Sequence, residues 1–153
     1  MELDLVSAVY LSGLALNEEA LRRLHARGHD GLRMRHGYVI QHVVEGPIPV
    51  GELAERLGVT QQAASKTSAE LEQLGYLERT SDPADARVRR VGLSARGRAV
   101  VEETRRIRAD IAAELATALG ARRAAALRTA ALDALTWAGG LEAVLARRVP
   151  EPR

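Results

Sequence analysis

At 153 residues, with 46% hydrophobic side chains and no cysteine, the chain is the size of one compact domain, and disulfides, Cys-ligated metals and thiol redox chemistry are excluded. The formal charge of +2, from 22 basic and 20 acidic residues, says little about a polyanionic partner, but eight arginines between Arg87 and Arg108 face only Glu102 and Glu103. No basic stretch followed by an apolar core opens the sequence and no eighteen apolar residues run together, so a cytoplasmic protein that spans no membrane is expected.

Residues 1–27 place Leu5, Val9, Leu14, Leu16, Leu21 and Leu24 along one long helix, or a helix broken at Gly13. Gly28 and Gly31 in "RGHDG" are stop signals. A second helix follows, with His36, Val39, Ile40 and Val43 at i, i+3, i+4 and i+7 as one buried stripe. It ends near "EGPIP", where Gly46, Pro47 and Pro49 block continuation and favour a short extended piece. Val50, Leu53, Ala54 and Leu57 repeat the helical spacing, and Gly58 stands where a left-handed C-terminal residue is expected. Thr60 is then the N-cap of a fourth helix. Two helices joined by "LGVT" fit a helix-turn-helix, and equally fit a generic antiparallel helix pair.

The fourth helix discriminates between these. At about 100° per residue, Ala64, Thr67, Ser68, Leu71 and Leu74 gather on one side, while Gln62, Ser65, Lys66 and Ala69 gather opposite. The outer side offers amide, hydroxyl and ammonium groups and, before Glu70, no carboxylate to repel phosphate. Glutamine pairs with adenine, serine reaches bases or phosphate, and lysine reaches guanine or phosphate, in a major groove wide enough for a helix.

After Gly75, "YLERT" and "RVRRVGL" alternate as strands, with Leu77 and Arg79 facing together and Arg89, Val91 and Leu93 facing together. "SDPADA" between them is dense in turn formers, so a hairpin follows the helix, as in a winged helix. Ser94 caps a long helix carrying Val100, Thr104, Ile107, Ile111 and Leu115. Gly120 ends it, and a final alanine-rich helix carries Leu127, Leu135, Leu141 and Leu145, with an interruption expected at Gly139 and Gly140. Val100, Ile107, Ile111, Leu127, Leu135 and Leu145 exceed what one small winged helix covers, which predicts a homodimer; the other reading is that these helices fold back on their own chain.

By their residues, "ELAERLGVTQQAASK", "LEQLGYLER" and "DPADARVRRVGLSARG" resemble the MarR family of bacterial transcriptional regulators, in the expected order and spacing. The fold that this resemblance implies is mainly α with a small β-hairpin wing: a winged helix-turn-helix flanked by N- and C-terminal dimerisation helices. The corresponding regions are 1–30 for the N-terminal dimerisation helix, 31–93 for the DNA-binding region, 94–149 for the C-terminal dimerisation helices and 150–153 for a tail.

Carried onto this sequence, the resemblance implies DNA-binding roles for Thr60, Gln61, Gln62, Ser65, Lys66, Asp85, Arg87 and Arg89. Arg87 takes the place of the family's minor-groove arginine, the other reading being an exposed turn arginine, and Asp85 orients it through an ion pair, the other reading being a plain turn former. A narrow A·T minor groove concentrates the negative potential that draws such an arginine in. Three departures are visible: Ala86 replaces a usual arginine, Thr67 and Ser68 replace apolar residues under the recognition helix, and Gly37 replaces a frequent aromatic. The implied partners are double-stranded DNA bearing a pseudopalindromic operator, a second copy of the chain, and a small aromatic or phenolic effector. Tyr10, Arg22 and His36 are the candidate effector residues, and the implied role is a repressor released by that effector.

Enzymatic chemistry finds no support, since there is no Gly-rich phosphate loop and no nucleophile elbow. No cofactor is expected. His25, His29 and Asp30 have helical metal-ligand spacing, but Gly28 and Gly31 fray that helix, and no metal is expected. His36, on an apolar stripe, is read first as a satisfied core histidine and second as an effector ligand. Trp137 is read as core or dimer interface. The alternative function is a winged-helix module that docks a protein without acting on DNA.

Overall fold

The computed structural model describes residues 3–82, 84, 85 and 87–145; residues 1, 2 and 146–153, Pro83, Ala86 and the side chains of Ala143 and Leu145 lie outside the described residues. The chain divides into two compact units, one of Met1–Leu32 with Thr104–Glu142 and one centred on Arg33–Glu103.

In the first unit, helix α1 (Leu5–His25) starts at Asp4, whose carboxylate accepts the Ser7 N–H at 2.9 Å and the Ser7 hydroxyl at 2.6 Å. The helix passes through Gly13 unbroken, so the long-helix alternative is the one realised. It stops before Gly28, whose φ of +91° favours glycine. Only Ala20 and Leu24 of α1 are buried, and Leu5, Val6, Val9 and Tyr10 are each more than half exposed.

The unit continues with the later part of α5 (Ala95–Leu119), then α6 (Ala121–Trp137) and the start of α7 (Leu141–Leu145). Gly120 (φ +83°) separates α5 from α6, and Gly139 (φ +74°) separates α6 from α7, as the sequence led one to expect. Arg23 ties α1 to α5 through a two-pronged bond to Glu114 at 2.7 and 2.6 Å. Arg22 and Arg23 both donate to Glu19 and hold its carboxyl down at about 2. No residue of α6 is buried. Trp137 is 91% exposed, so within the chain it is not core. Ile107 is fully buried and Val100 nearly so, hence these two need no partner to cover them; the exposed apolar residues among those described include Leu5, Val6, Val9 and Tyr10 of α1 and Leu127, Leu132 and Trp137 of α6.

In the second unit, α2 (Met34–His42) buries His36, Val39 and His42, followed by Val43, while Ile40 is only half-buried. Three of the four expected stripe residues, His36, Val39 and Val43, are therefore buried, and His42 is buried where Ile40 was expected to be. Strand β1 (Ile48–Pro49) is the predicted extended piece. It forms one edge of an antiparallel sheet of order β1-β3-β2, with β2 (Leu77–Ser81) and β3 (Arg89–Leu93). A proline at an edge removes no ladder donor that the sheet needs. Gly92 is required beside it, since a Cβ there would lie 2.9 Å from the Pro47 ring.

Helix α3 (Val50–Leu57) buries Val50, Leu53, Ala54 and Leu57 and ends on Gly58 at φ +67°, ψ +29°, as expected. Helix α4 (Gln61–Gln73) is capped by Thr60, whose Oγ1 accepts the Ala63 N–H at 3.1 Å. Beneath it lie Ala64, Ser68 and Leu71, packed with Leu53, Leu57, Tyr76 and Val91 in the buried centre of this unit. Thr67 and Leu74 are half-buried. Ser94 joins the sheet to α5: its hydroxyl donates to the Gly75 carbonyl at 2.5 Å and accepts the Gly97 N–H at 3.0 Å.

Candidate nucleic-acid interface

Thr60 fixes the start of α4, so the direction in which each later side chain leaves the helix is set by the 3.6-residue period. Gln61, Gln62 and Lys66 are exposed, while Ser65 and Ala69 are half-buried. The outward face is thus narrower than the sequence suggested. It centres on Gln62 and Lys66, with Ser65 on its flank. Glu70, the first carboxylate along the helix, is taken up by Arg35 of α2, which donates to it at 2.6 Å. That guanidinium, followed by His36, holds the Glu70 carboxyl below the usual carboxylate range.

The wing carries Leu77, Arg79 and Ser81 opposite Leu93, Val91 and Arg89, which confirms the facing read from the alternation. Its turn is organised by two aspartates. Asp82 accepts the Ala84 N–H at 2.7 Å and Asp85 accepts the Arg87 N–H at 2.9 Å, the local turns for which aspartate is suited. The expected ion pair from Asp85 to the Arg87 guanidinium is replaced by this backbone bond: a short side chain captures the nearest donor, two residues on. Within the wing Asp82 pairs with Arg90 at 2.5 Å, and Arg90 also donates to the Pro47 carbonyl at 3.2 Å. Backbone N–H groups and Arg90 lower the Asp82 carboxyl.

Helix and wing meet at a groove of about 410 Å³. Gln61 and Ser65 line it from α4, Arg79, Arg87 and Arg89 from the wing, and Gly51 from the start of α3. Four residues singled out in the sequence, Gln61, Ser65, Arg87 and Arg89, therefore share one concave surface. Gln62, Lys66 and Asp85 are exposed outside it, and Thr60 acts as the cap. Arg79 and its partner Glu72, which accepts from Arg79 Nε at 2.6 Å, were missed in the sequence. The strand alternation held the signal for Arg79, since it faces the same way as Ser81 and thus its partner Arg89.

The effector residues are each engaged or exposed separately. Tyr10 is 67% exposed on α1, and Arg22 is bonded to Glu19 at 2.7 Å. His36 is buried, its Nδ1 accepting the Arg33 N–H at 3.2 Å and its Nε2 lying 3.4 Å from Glu70 Oε2, which is the satisfied core histidine. His25 donates from Nε2 to the Leu32 carbonyl at 2.8 Å. Among the described residues no group of three or more metal-ligating side chains is assembled, and no helix is long and apolar enough to cross a membrane.

Residues 30–88 match the model of the MarR family, as the three sequence blocks implied, and that is a family of transcriptional regulators and not of enzymes. No curated protein matches. Among solved structures, the chain is similar to the transcriptional regulator Tm0710 from Thermotoga maritima, at 26% identity over 88% of this chain and 90% of that one, with a TM-score of 0.62. It is also similar to RV1404 from Mycobacterium tuberculosis, at 23% identity, 92% and 96% coverage and a TM-score of 0.75. FabT from Streptococcus pneumoniae, solved in complex with DNA, is 18% identical over 86% of this chain and 94% of that one, with a TM-score of 0.65. The fold is the winged helix of MarR structures, mainly helical with a small antiparallel sheet.

Proposed function

We propose that this chain, whose residues 30–88 form a MarR-family segment, is a sequence-specific double-stranded DNA-binding transcriptional regulator that works as a homodimer. The observation that carries this reading is the shared groove: Gln61 and Ser65 of a capped, carboxylate-free helix face line one concave surface with Arg87 and Arg89 of the wing. Helix α4 enters the major groove, where Gln62, Ser65 and Lys66 meet base edges and phosphates. Arg87, held at the turn by Asp85, reaches the adjacent minor groove. FabT, which shares the fold, was solved in complex with DNA, in keeping with DNA as the partner.

The dimer is supported by the first unit, in which a 21-residue α1 buries only two side chains and a 17-residue α6 buries none. Two lobes on a two-fold axis read half-sites about 34 to 36 Å apart, hence a short pseudopalindrome. In keeping with the family resemblance, the regulator acts as a repressor released by a small aromatic or phenolic effector. Such an effector must bind the DNA-competent and DNA-incompetent forms with different affinity. Of Tyr10, Arg22 and His36, the exposed Tyr10 best suits contact with a ligand, because both ring nitrogens of His36 are engaged.

Fluorescence anisotropy with the gene's own upstream region, over a range of salt, tests the proposal. Lys66→Ala and Arg87→Ala should each weaken binding and reduce the salt slope by about one. Equal affinity of parent and both variants would refute the assignment and favour a protein-docking winged helix.

A further inference from the structure

We infer that the groove between α4 and the wing is the seat of the DNA backbone itself, and that Arg79, oriented by Glu72, is its sequence-independent phosphate contact. The inference rests on the DNA-binding reading above and adds to it a residue and a role. A protein that sets a helix in the major groove and a wing in the adjacent minor groove straddles the sugar-phosphate strand dividing those grooves. The space between helix and wing is then the path of that strand, and side chains lining it meet phosphate before they meet a base edge.

Arg79, Arg87 and Arg89 all line this space, and among the described residues no carboxylate lines it with them. Three like charges around one groove repel one another until an anion enters. Among the three, Arg79 stands in mid-strand opposite Val91, whereas Arg87 stands in the turn. Arg79 is also the one fixed by a charged partner: its Nε donates to Glu72 at 2.6 Å, while its two Nη groups have no partner among the described residues. A guanidinium held by one edge presents the rest of its planar fork to phosphate oxygens at little further ordering cost. Glu72 is therefore a positioning residue and Arg79 the contact.

The test uses the full chain and two duplexes, the gene's upstream region and a short mixed-sequence fragment, with anisotropy measured over a salt series. Arg79→Ala should weaken binding to both duplexes by the same factor and lower the salt slope by about one, with an unchanged melting temperature. Arg79→Lys should restore the slope. Glu72→Gln should keep the parent's slope and bind several-fold more weakly. A parent-like slope in Arg79→Ala overturns the phosphate contact while leaving the DNA reading intact; a parent that shows no salt-dependent duplex binding overturns both. Glu72→Gln binding at least as tightly as the parent overturns the positioning role. Inorganic pyrophosphate at constant ionic strength should leave the parent's melting temperature unmoved. Saturable stabilisation that depends on Arg79 would instead assign the groove to a free phosphorylated ligand.

Discussion

His36 of α2 and Glu70 of the recognition helix are linked through Nε2 and Oε2 at 3.4 Å, and the other ring nitrogen accepts the Arg33 N–H, so the neutral imidazole carries its proton on Nε2. Burial is the main influence on this histidine and lowers its pKa from the ordinary 6.5; the Glu70 bond opposes that, and Arg35 and Arg33 add to it. The unfolded chain therefore takes up a proton at a higher pH than the folded one. Stability from this site is present above about 6.5 and is lost as pH falls through the lowered folded value. Glu70 is lowered too, so its share is lost in turn below the carboxylate range. Melting temperature should decline from pH 7 toward pH 5, and His36→Gln should flatten that decline. A parallel decline in the variant would remove His36 as its cause.

Ser68 is fully buried under α4 and its hydroxyl has no hydrogen-bond partner among the described residues. An unsatisfied buried polar atom costs more than the contacts of one oxygen return. Ser68→Ala should therefore stabilise the protein by about 1 kcal/mol, read by urea denaturation. A destabilised variant would mean that the hydroxyl is satisfied, for instance by a buried water.

The contrast between Ser68 and Gly97 shows which parts of the fold the sequence disclosed. The stripe of α3, the Thr60 cap, the Gly58 stop and the strand alternation are local patterns, set within one or two turns of chain, and they were legible. Side-chain pairings between elements were not. Arg35 with Glu70, 35 residues apart, and the shorter-range Glu72 with Arg79 and Asp82 with Arg90 each select one carboxylate among several chemically equivalent ones, and periodicity carries no information on that choice. The same holds for Val100 and Ile107, whose stripe fitted a dimer seam and is filled within the chain.

Gly97 illustrates such a hidden constraint. A Cβ there would sit 2.0 Å from the Tyr76 carbonyl oxygen and 3.0 Å from Leu93 Cδ2, because Ser94 draws the start of α5 against the turn after α4. A backbone carbonyl has no rotamer by which to retreat. Gly97→Ala should cost on the order of 2 to 3 kcal/mol and be visible as a lower denaturation midpoint. A midpoint equal to the parent's would show that the corner yields at no cost.

The Asp85 to Arg87 bond makes a separable claim about the wing. Since the carboxylate accepts a backbone N–H, its acceptor oxygen matters and its charge does not. Asp85→Asn should keep parent-like DNA affinity, whereas Asp85→Ala should lose a few-fold, consistent with about 1 kcal/mol for one hydrogen bond. Equal losses in both would restore the ion-pair role that the sequence suggested.

Helix α1 supplies the last prediction. Leu5 and Val6 are each 78% exposed and Val9 51%, successive turns of one helix that the chain itself leaves uncovered. Leu127 of α6 is 47% exposed in the same unit. An apolar run of this kind on a water-facing helix marks a surface that another molecule covers, and a second copy supplies the same helices in self-complementary form. Replacing Val6 and Val9 together by glutamate places two charges in that seam, where burial without a partner is unfavourable. Sedimentation should show the parent as a dimer and the variant as a monomer. The monomer should retain the winged unit's fold, because the core of Leu53, Leu57, Leu71 and Val91 lies within residues 33–103. Its DNA binding should weaken steeply, since each lobe then pays alone the ordering cost that two joined lobes share. A parent that sediments as a monomer would leave the exposed face of α1 without its proposed partner.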